Sequence, residues 1–367
     1  MNISLKGHTY TTKHLEAWYH AILTQNVKEA QIQFQEAKKE HEEMLLKETE
    51  TIPLYHLYYA LLQFRHTALT DGLSITKDSF QFIEDQEKPE DKHLSYLYHY
   101  YKAIHFAAIN HYQEAEEYFL KAQALLSGHS QIEQADFYYR YAAYHCHQQQ
   151  PSFAIVNASK ALEFFETQHG CERNISSCLS VLGASYVDVG HFEQAEESYN
   201  KALDILQKLN EESLQLYVRG NLGHLYASQN LSEEAIRHLT QVVEKIPSHY
   251  KAIFLLAQEH EKLGLIDKAN HYIKIGKQLI SGLGNEEHKH HFAILEAFTN
   301  QTELDKIEPI VLEGIEYFNK ESLYIYVSEY LEKLALAFYN KQQHEKASLY
   351  FFNSTIAKKS NERGLKK

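Results

Sequence analysis

The sequence predicts an all-α protein, and three observations favour that fold class. Glycine and proline are scarce, with 14 and 5 copies among 367 residues, so the many tight turns of an all-β fold are poorly supplied. Leu, Ala, Glu, Gln and Lys, which are common here, favour long helices. A short motif built around one alanine also returns along the chain, which is typical of stacked helical repeats.

Residues 1–72 are predicted to form a three-helix bundle. One apolar helical stripe runs from His14 to Leu23, and the charged, helix-prone stretch from Val27 to Glu48 follows it. A second apolar stripe is formed by Leu54, Leu57, Tyr58, Leu61, Leu62 and the aliphatic stem of Arg65. Because no short turn precedes a basic recognition helix, this bundle is expected to bind protein and not DNA.

The segment after the bundle, residues 73–92, is predicted to be a linker. The stretch from Thr70 to Lys92 carries Gly72, Pro89 and several charges, which are features of connecting segments. At the other end of the chain, residues 360–367 are polar and are predicted to form a frayed tail.

The recurring motif has an aromatic or aliphatic residue, then Gln or Glu, then alanine, and it opens a helix. Clear copies are Tyr112-Gln-Glu-Ala115 and Phe192-Glu-Gln-Ala195. The alanines of successive copies, with a weaker one at position 154, are Ala115, Ala154, Ala195, Ala235, Ala269 and Ala347. They are separated by 39, 41, 40, 34 and 78 residues, the last step being two repeats of 39.

A second signature, a small residue followed three positions later by an aromatic or His, ends nine residues before four of these alanines. Its copies are Leu182-Gly183-x-x-Tyr186, Leu222-Gly223-x-x-Tyr226, Leu256-Ala257-x-x-His260 and Leu334-Ala335-x-x-Phe338. A small residue on the first helix lets the second helix approach closely, and the alanine of the second helix makes room for the aromatic ring. Each pair of signatures therefore predicts one helical hairpin.

This pattern is typical of tetratricopeptide repeats. We expect residues 93–359 to form about seven hairpins in a right-handed superhelix, with the hairpin from His288 to Phe318 the least regular. First helices line the concave face of such a superhelix. That groove is the expected binding surface.

The net charge of −13 disfavours a nucleic-acid partner, because phosphate binding needs clustered Lys and Arg. The stretch from Met1 to Thr12 has no apolar core of signal-peptide length, and no 18-residue apolar run occurs, so a cytoplasmic location without membrane contact is expected. The three cysteines, Cys146, Cys171 and Cys178, are too scattered for a disulfide framework and are expected to be reduced thiols.

Two histidine-rich strings suggest a metal site, but adjacent residues of a helix point to different faces. The strings are His145-Cys146-His147 and His288-Lys289-His290-His291. We therefore expect no metal and no cofactor. No glycine-rich phosphate loop, nucleophile elbow or paired-carboxylate motif supports small-substrate catalysis either.

Beside these patterns, strings in the bundle resemble the Rap family of Bacillus response-regulator aspartate phosphatases. They are Leu15-Glu16-Ala17-Trp18-Tyr19 and Leu57-Tyr58-Tyr59-Ala60-Leu61-Leu62-Gln63-Phe64-Arg65-His66. The similarity continues through Tyr96 to Phe106, Ala135 to Tyr144, Asn221-Leu222-Gly223 and Lys262 to Ala269, so it covers nearly the whole chain.

The resemblance implies that the bundle engages a response regulator and that the repeat groove takes up a short Phr-type signalling peptide. In that family the peptide compacts the repeats and draws the bundle in, so that the regulator no longer docks. It also implies a peptide clamp made of Asn221 and, one repeat earlier, Asp188, with Tyr144 and His224 as further peptide-binding candidates. Without the family, the favoured interpretation of Asn221 is a residue that caps or bridges neighbouring helices.

For the regulator-binding face, the candidates are Leu54, Tyr55 and Tyr58. The family's phosphatases also insert a glutamine, just before the third bundle helix, that positions water against the aspartyl phosphate. Pro53 occupies that place here, and the stretch from Met44 to Leu57 contains no Gln or Asn.

Three hypotheses follow for the function. The leading one is a peptide-controlled protein that sequesters a response regulator without chemistry. The second is an aspartyl-phosphate phosphatase that uses Glu48, Glu50 or His56, whose carboxylate or imidazole can accept a proton from water. The third is a general tetratricopeptide-repeat scaffold outside peptide signalling.

Overall fold

The computed structural model describes residues 11–45, 52–86, 89–300 and 303–364. All regular secondary structure in these ranges is helical, which confirms the predicted all-α class. Among these residues, no helix is long and apolar enough to cross a membrane.

Three helices open the chain, as predicted. They are α1 (Lys13–Leu23), α2 (Val27–Leu45) and α3 (Ile52–Thr70). Thr12 caps α1 by accepting a hydrogen bond from the Leu15 amide. Trp18 is fully buried and donates its indole N–H to Nδ1 of His66 at 3.2 Å, which ties α1 to α3.

The segment predicted to be a linker is folded into short helices where the structure describes it. They are 3-10 turns at Gly72–Ser74 and Lys77–Phe80 and the one-turn helix α4 (Gln81–Glu84). Phe80 is buried, with its ring 5.0 Å from that of Phe64. The charges and the glycine gave no sign that this segment would form short helices or that Phe80 would anchor it.

Seven helical hairpins follow, which confirms the predicted repeats. They are α5 (Lys92–Ala108) with α6 (Tyr112–Leu125), α7 (Gln131–His147) with α8 (Pro151–Phe165), α9 (Glu172–Asp188) with α10 (Phe192–Lys208), α11 (Glu212–Ser228) with α12 (Ser232–Lys245), α13 (Tyr250–Lys262) with α14 (Ile266–Leu283), α15 (Glu286–Thr299) with α16 (Leu304–Lys320), and α17 (Tyr324–Asn340) with α18 (His344–Gly364). Pro309 lies inside α16, in the hairpin expected to be least regular. Helix α18 includes the first residues of the predicted tail.

Most hairpin turns contain one residue with left-handed backbone geometry. Asn110, Asn230 and Gln342 have φ values of 62°, 59° and 59°, and Gly190 and Gly264 take the equivalent places with φ of 77° and 70°. This conformation stops the first helix and reverses the chain. Because Asn and Gln serve as well as glycine here, a search for glycine alone finds only part of these helix ends.

The chain divides into two compact units, and the division falls within α7, α8 and α9. Unit 1 comprises Met1–Tyr141 and Ser159–Cys178, and unit 2 comprises Ala142–Ala158 and Leu179–Lys367. The predicted boundaries at residues 72 and 93 separate parts with different expected functions and do not coincide with the two compact units. They remain a proposal.

Unit 1 is held together by contacts between residues far apart in the sequence. The side-chain amide of Asn174 donates to the backbone carbonyl oxygen of Leu23 at 2.9 Å. The Ser177 hydroxyl donates to the side-chain oxygen of Gln25 at 2.8 Å. The end of α1 is thus fixed by α9, about 150 residues later in the chain.

A buried ion pair also lies in unit 1. The Arg65 guanidinium is 3.3 Å from the Asp136 carboxylate, and neither side chain is more than 1% exposed. The Tyr100 hydroxyl donates to the other Asp136 oxygen at 2.7 Å. The carboxylate is therefore satisfied from two helices, α3 and α5.

In unit 2 the glycines of the second signature act as predicted. A Cβ atom at Gly183 would lie 2.6 Å from the Tyr199 ring, and one at Gly223 would lie 2.6 Å from Cγ of Leu239. Ala195 and Ala235 on the second helices are fully buried. Close contact between the two helices of a hairpin therefore depends on small residues on both.

We expect Gly223→Ala to lower the free energy of unfolding by about 1–3 kcal/mol, because the new methyl group overlaps the branch point of Leu239. Urea unfolding followed by circular dichroism measures this loss. Gly220→Ala on the same helix is the matched control, since its Cβ would lie 4.0 Å from Val242. Equal stability of the two variants would contradict the proposed role of Gly223.

Candidate functional site

Two of the predicted peptide-binding residues, Asn221 and His224, lie on α11. Three residues apart on a helix, they share one face, and both are half-buried. Among the described residues, none forms a hydrogen bond with the Asn221 carboxamide. This group, which can both donate and accept, is thus available to a ligand backbone.

Asp188 ends α9, and its carboxyl group is chemically unusual. Burial raises its pKa to about 7, and the Glu329 carboxylate adds to the shift. Glu329 lies on α17, where burial raises its own pKa to about 7 with a further contribution from Glu332. The two carboxyl groups are therefore close enough to interact electrostatically, and a cation placed beside them would favour their ionised forms.

Sequence reasoning named Asp188 as a candidate but not Glu329, because the two residues are 141 positions apart and share no motif. Cys146 on α7 belongs to the same surroundings. Burial, together with a smaller contribution from Asp188, raises the pKa of its thiol to about 12. All three cysteines are free, as predicted.

Tyr144, the fourth peptide-binding candidate, is only 7% exposed. Its ring packs edge-on against that of His145 at 5.3 Å. In this conformation Tyr144 belongs mainly to the core of unit 2, and little of its surface is open to a ligand.

The two histidine strings are brought together at one buried carboxylate. Glu287, which is 1% exposed, has His147 Nε2 at 3.5 Å, His291 Nε2 at 3.8 Å and His288 Nδ1 at 3.9 Å. Although burial alone would raise it, the pKa of Glu287 is held well below its usual range by His147 and the other imidazoles. The Tyr330 hydroxyl, 2.6 Å from Nδ1, holds the His291 ring.

Within each string, adjacent residues do face different partners. His145 Nδ1 is 2.7 Å from the Gln150 side chain, whereas His147 approaches Glu287. The His290 ring stacks on Tyr317 at 5.0 Å. Spacing did not predict that His147 of the first string approaches the same carboxylate, that of Glu287, as two histidines of the second string.

The three regulator-binding candidates lie on the first turns of α3 and differ in exposure. Leu54 is 40% exposed, whereas Tyr55 and Tyr58 are 4% and 1% exposed. Of the three, Leu54 alone is exposed, and the two tyrosines are buried in unit 1.

Two of the three catalytic candidates, Glu48 and Glu50, lie outside the described residues. His56 is half-buried, with Nδ1 2.9 Å from Nε2 of His41, so one imidazole donates to the other. Burial lowers the pKa of both, which keeps them neutral near pH 7. Pro53 is exposed in the first turn of α3, a position that needs no backbone N–H.

Comparisons with known proteins identify similar chains. Residues 8–71 match the family described as response regulator aspartate phosphatase H, N terminal, and residues 133–208 match the tetratricopeptide repeat. Regulatory protein RapD of Bacillus subtilis (strain 168) is 25% identical over 72% of this chain and 76% of its own length. Response regulator aspartate phosphatase H of the same organism is 23% identical over 86% and 85%.

Solved structures share the fold. A Rap protein complexed with Competence and Sporulation Factor superimposes with a TM-score of 0.82 at 21% identity, covering 95% of this chain and 98% of that one. NprR in complex with its cognate peptide NprX gives a TM-score of 0.73 at 17% identity, covering 94% and 98%. Both of these relatives are described with a bound peptide or factor.

Proposed function

We propose, on the premise that this chain belongs to the Rap family, that it is a cytoplasmic regulator that binds a bacterial response regulator and is controlled by a short signalling peptide. The similar proteins include a response regulator aspartate phosphatase and two proteins solved with a bound peptide or factor. The bundle in residues 1–72 would bind the regulator, and the repeats in residues 93–359 would bind the peptide.

The proposal is supported by a set of polar groups in unit 2 that we assign to peptide binding. The Asn221 carboxamide is available, and it shares its helix face with the imidazole of His224. Asp188 and Glu329 hold carboxyl groups whose pKa values are raised to about 7. We call Asp188, Asn221, His224 and Glu329 the peptide surface.

The peptide surface favours an extended peptide that carries a positive charge. A carboxamide can bind a peptide backbone through hydrogen bonds that do not depend on the side chains of the peptide. A cationic side chain or amino terminus would replace the protons of Asp188 and Glu329 and compensate their burial. Affinity for such a ligand would then depend on pH.

We expect the affinity for a cationic peptide to rise about tenfold between pH 6 and pH 8, because both carboxyl groups ionise in that window. Calorimetric titration at several pH values measures this change. Asp188→Asn should flatten the profile and weaken binding at pH 8, while Glu197→Gln, at an exposed carboxylate on α10, should change neither. A wild-type affinity that does not depend on pH would contradict the assignment.

Asp188 and Glu329 also make the free energy of unfolding depend on pH, and this dependence is opposite in direction to that of peptide affinity. A carboxyl group whose folded pKa lies above its ordinary value binds its proton more tightly in the folded chain. Without ligand, the free energy of unfolding therefore falls as the pH rises from about 4, the ordinary range, to about 7. Asp188→Asn should make this fall shallower.

We propose that the chain sequesters the regulator without dephosphorylating it, because Pro53 occupies the position at which the phosphatases of the family have glutamine. Leu54, exposed beside it, is the proposed first contact. The phosphatase alternative keeps one described candidate, His56, whose neutral imidazole is able to accept a proton.

One experiment separates these functions. The purified full chain is incubated with phosphorylated response regulators from its own host, with and without candidate peptides, while complex formation and phosphate loss are followed. Complexes that dissociate on peptide addition, with phosphate retained, would establish sequestration. Faster phosphate loss that is abolished by His56→Ala, Glu48→Ala or Glu50→Ala would establish catalysis, and no complex with any regulator would refute both.

A further inference from the structure

Three side chains of types that bind metal ions meet in unit 1. His93 is in the first turn of α5, His129 precedes α7, and Glu133 is in the first turn of α7. Each offers a ligand atom, and these three atoms lie within 4.8 Å of one another. Nδ1 of His93 is 3.5 Å from Oε1 of Glu133.

A second set of contacts fixes the His129 ring in a state suited to metal binding. Its Nδ1 lies 3.0 Å from the carbonyl oxygen of Leu125. Because a carbonyl oxygen only accepts, Nδ1 carries the proton of this bond, and the lone pair of the neutral ring is on Nε2. A backbone carbonyl that orients a histidine in this way is typical of metal sites.

Glu133 is oriented in the same manner. The Tyr19 hydroxyl donates to Oε1 at 2.8 Å, and the Ser130 amide and hydroxyl donate to Oε2 at 2.9 Å and 2.5 Å. The Ser130 contacts are those of a helix cap, which accounts for Oε2 without a metal. Capping does not involve Oε1, which accepts from Tyr19 and faces His93, and it does not account for the second imidazole beside it.

The two imidazoles are held side by side by aromatic packing. The His93 and His129 rings stack with centroids 5.4 Å apart, and the Tyr96 ring lies 4.0 Å from that of His129. Holding two imidazoles next to a buried carboxylate brings together ligands that zinc and similar ions prefer.

We propose that His93, His129 and Glu133 bind one divalent ion of the zinc type, with water as the fourth ligand. Tetrahedral zinc requires ligand atoms about 3.3 Å apart, so the widest separation must close by no more than roughly 1.5 Å, which small side-chain rotations supply. The ion would fasten α5 to α7 and, through Tyr19, to α1. It would therefore stabilise unit 1, a role beyond peptide and regulator binding.

This proposed site differs from the expectation that the chain holds no metal. The histidine strings drew attention to positions 145–147 and 288–291, whereas the ligands here are separated by 36 and 4 residues. No short motif joins them, and only the fold brings them together.

The test uses the full chain after treatment with a chelator and dialysis. We expect equilibrium dialysis against zinc, read by elemental mass spectrometry, to give one tightly bound ion per chain, and cobalt to give the visible spectrum of a four-coordinate site. His129→Gln and His93→Gln should each weaken this site at least tenfold. His111→Gln, at an exposed histidine paired with Glu114 at 3.4 Å, is the matched control and should bind as the wild type does.

Zinc should also raise the thermal unfolding midpoint of the wild type and of His111→Gln, but not that of His129→Gln. His129 is preferred to Glu133 for this measurement because Glu133 caps α7 and its loss would disturb folding directly. Absence of a stoichiometric ion from the wild type, or its retention in both His93→Gln and His129→Gln, would overturn the proposal.

Discussion

Arg65→Met is expected to lower the free energy of unfolding of unit 1 by about 3–5 kcal/mol. The reason is the Asp136 carboxylate, which is 1% exposed and would lose its only cationic partner among the described residues. The Tyr100 hydroxyl would remain, but one neutral donor does not compensate a buried charge. The loss therefore comes from the residue that is left behind more than from the ion pair itself.

Trp18 makes this measurement selective. It is the only tryptophan of the chain and is fully buried in unit 1, so its fluorescence during urea unfolding follows this unit. The double variant Arg65→Met, Asp136→Leu should recover most of the lost stability, because it leaves no unpaired charge. Arg237→Met, at an exposed arginine, is the control. A loss below about 1 kcal/mol for Arg65→Met would contradict this interpretation.

Asn221→Ala is expected to weaken peptide binding by about 10- to 100-fold. A carboxamide that both donates to and accepts from a peptide backbone makes two hydrogen bonds, each contributing about 0.5–1.5 kcal/mol. Because no described residue bonds to this carboxamide in the free protein, the free energy of unfolding should change by less than about 1 kcal/mol.

Fluorescence anisotropy with a labelled candidate peptide measures the first effect, and urea unfolding measures the second. Gln241→Ala, at an exposed carboxamide on α12, should leave both unchanged. The opposite pattern for Asn221→Ala, with reduced stability and no peptide bound even by the wild type, would favour the general scaffold hypothesis. Unchanged peptide affinity would remove Asn221 from the peptide surface.

The sequence predicted the hairpins because their packing is local. Gly183 and Tyr199 meet within one hairpin, only 16 residues apart, so a repeated pattern reveals the contact. It also predicted that Tyr58 lies on an apolar stripe of α3. The pattern did not indicate whether that stripe faces the core or a partner, and burial of Tyr58 in unit 1 supplies the answer.

The candidate site was less accessible to sequence reasoning, because its parts come from distant helices. Asp188 follows from resemblance, but its acidic neighbour Glu329 comes from α17. The same holds for Glu287, whose histidine partners come from α7 and α15. Periodicity describes neighbours along a helix and does not tell which repeats supply charges to one site.

The bond from Asn174 to the carbonyl oxygen of Leu23 has a consequence for how the protein is made. On the ribosome, α1 is synthesised long before α9 emerges, so the end of α1 lacks its partner until nearly half of the chain has been translated. Contacts of such long sequence separation slow folding and leave apolar surface exposed meanwhile. The nascent bundle is therefore a natural client for chaperones until α9 arrives.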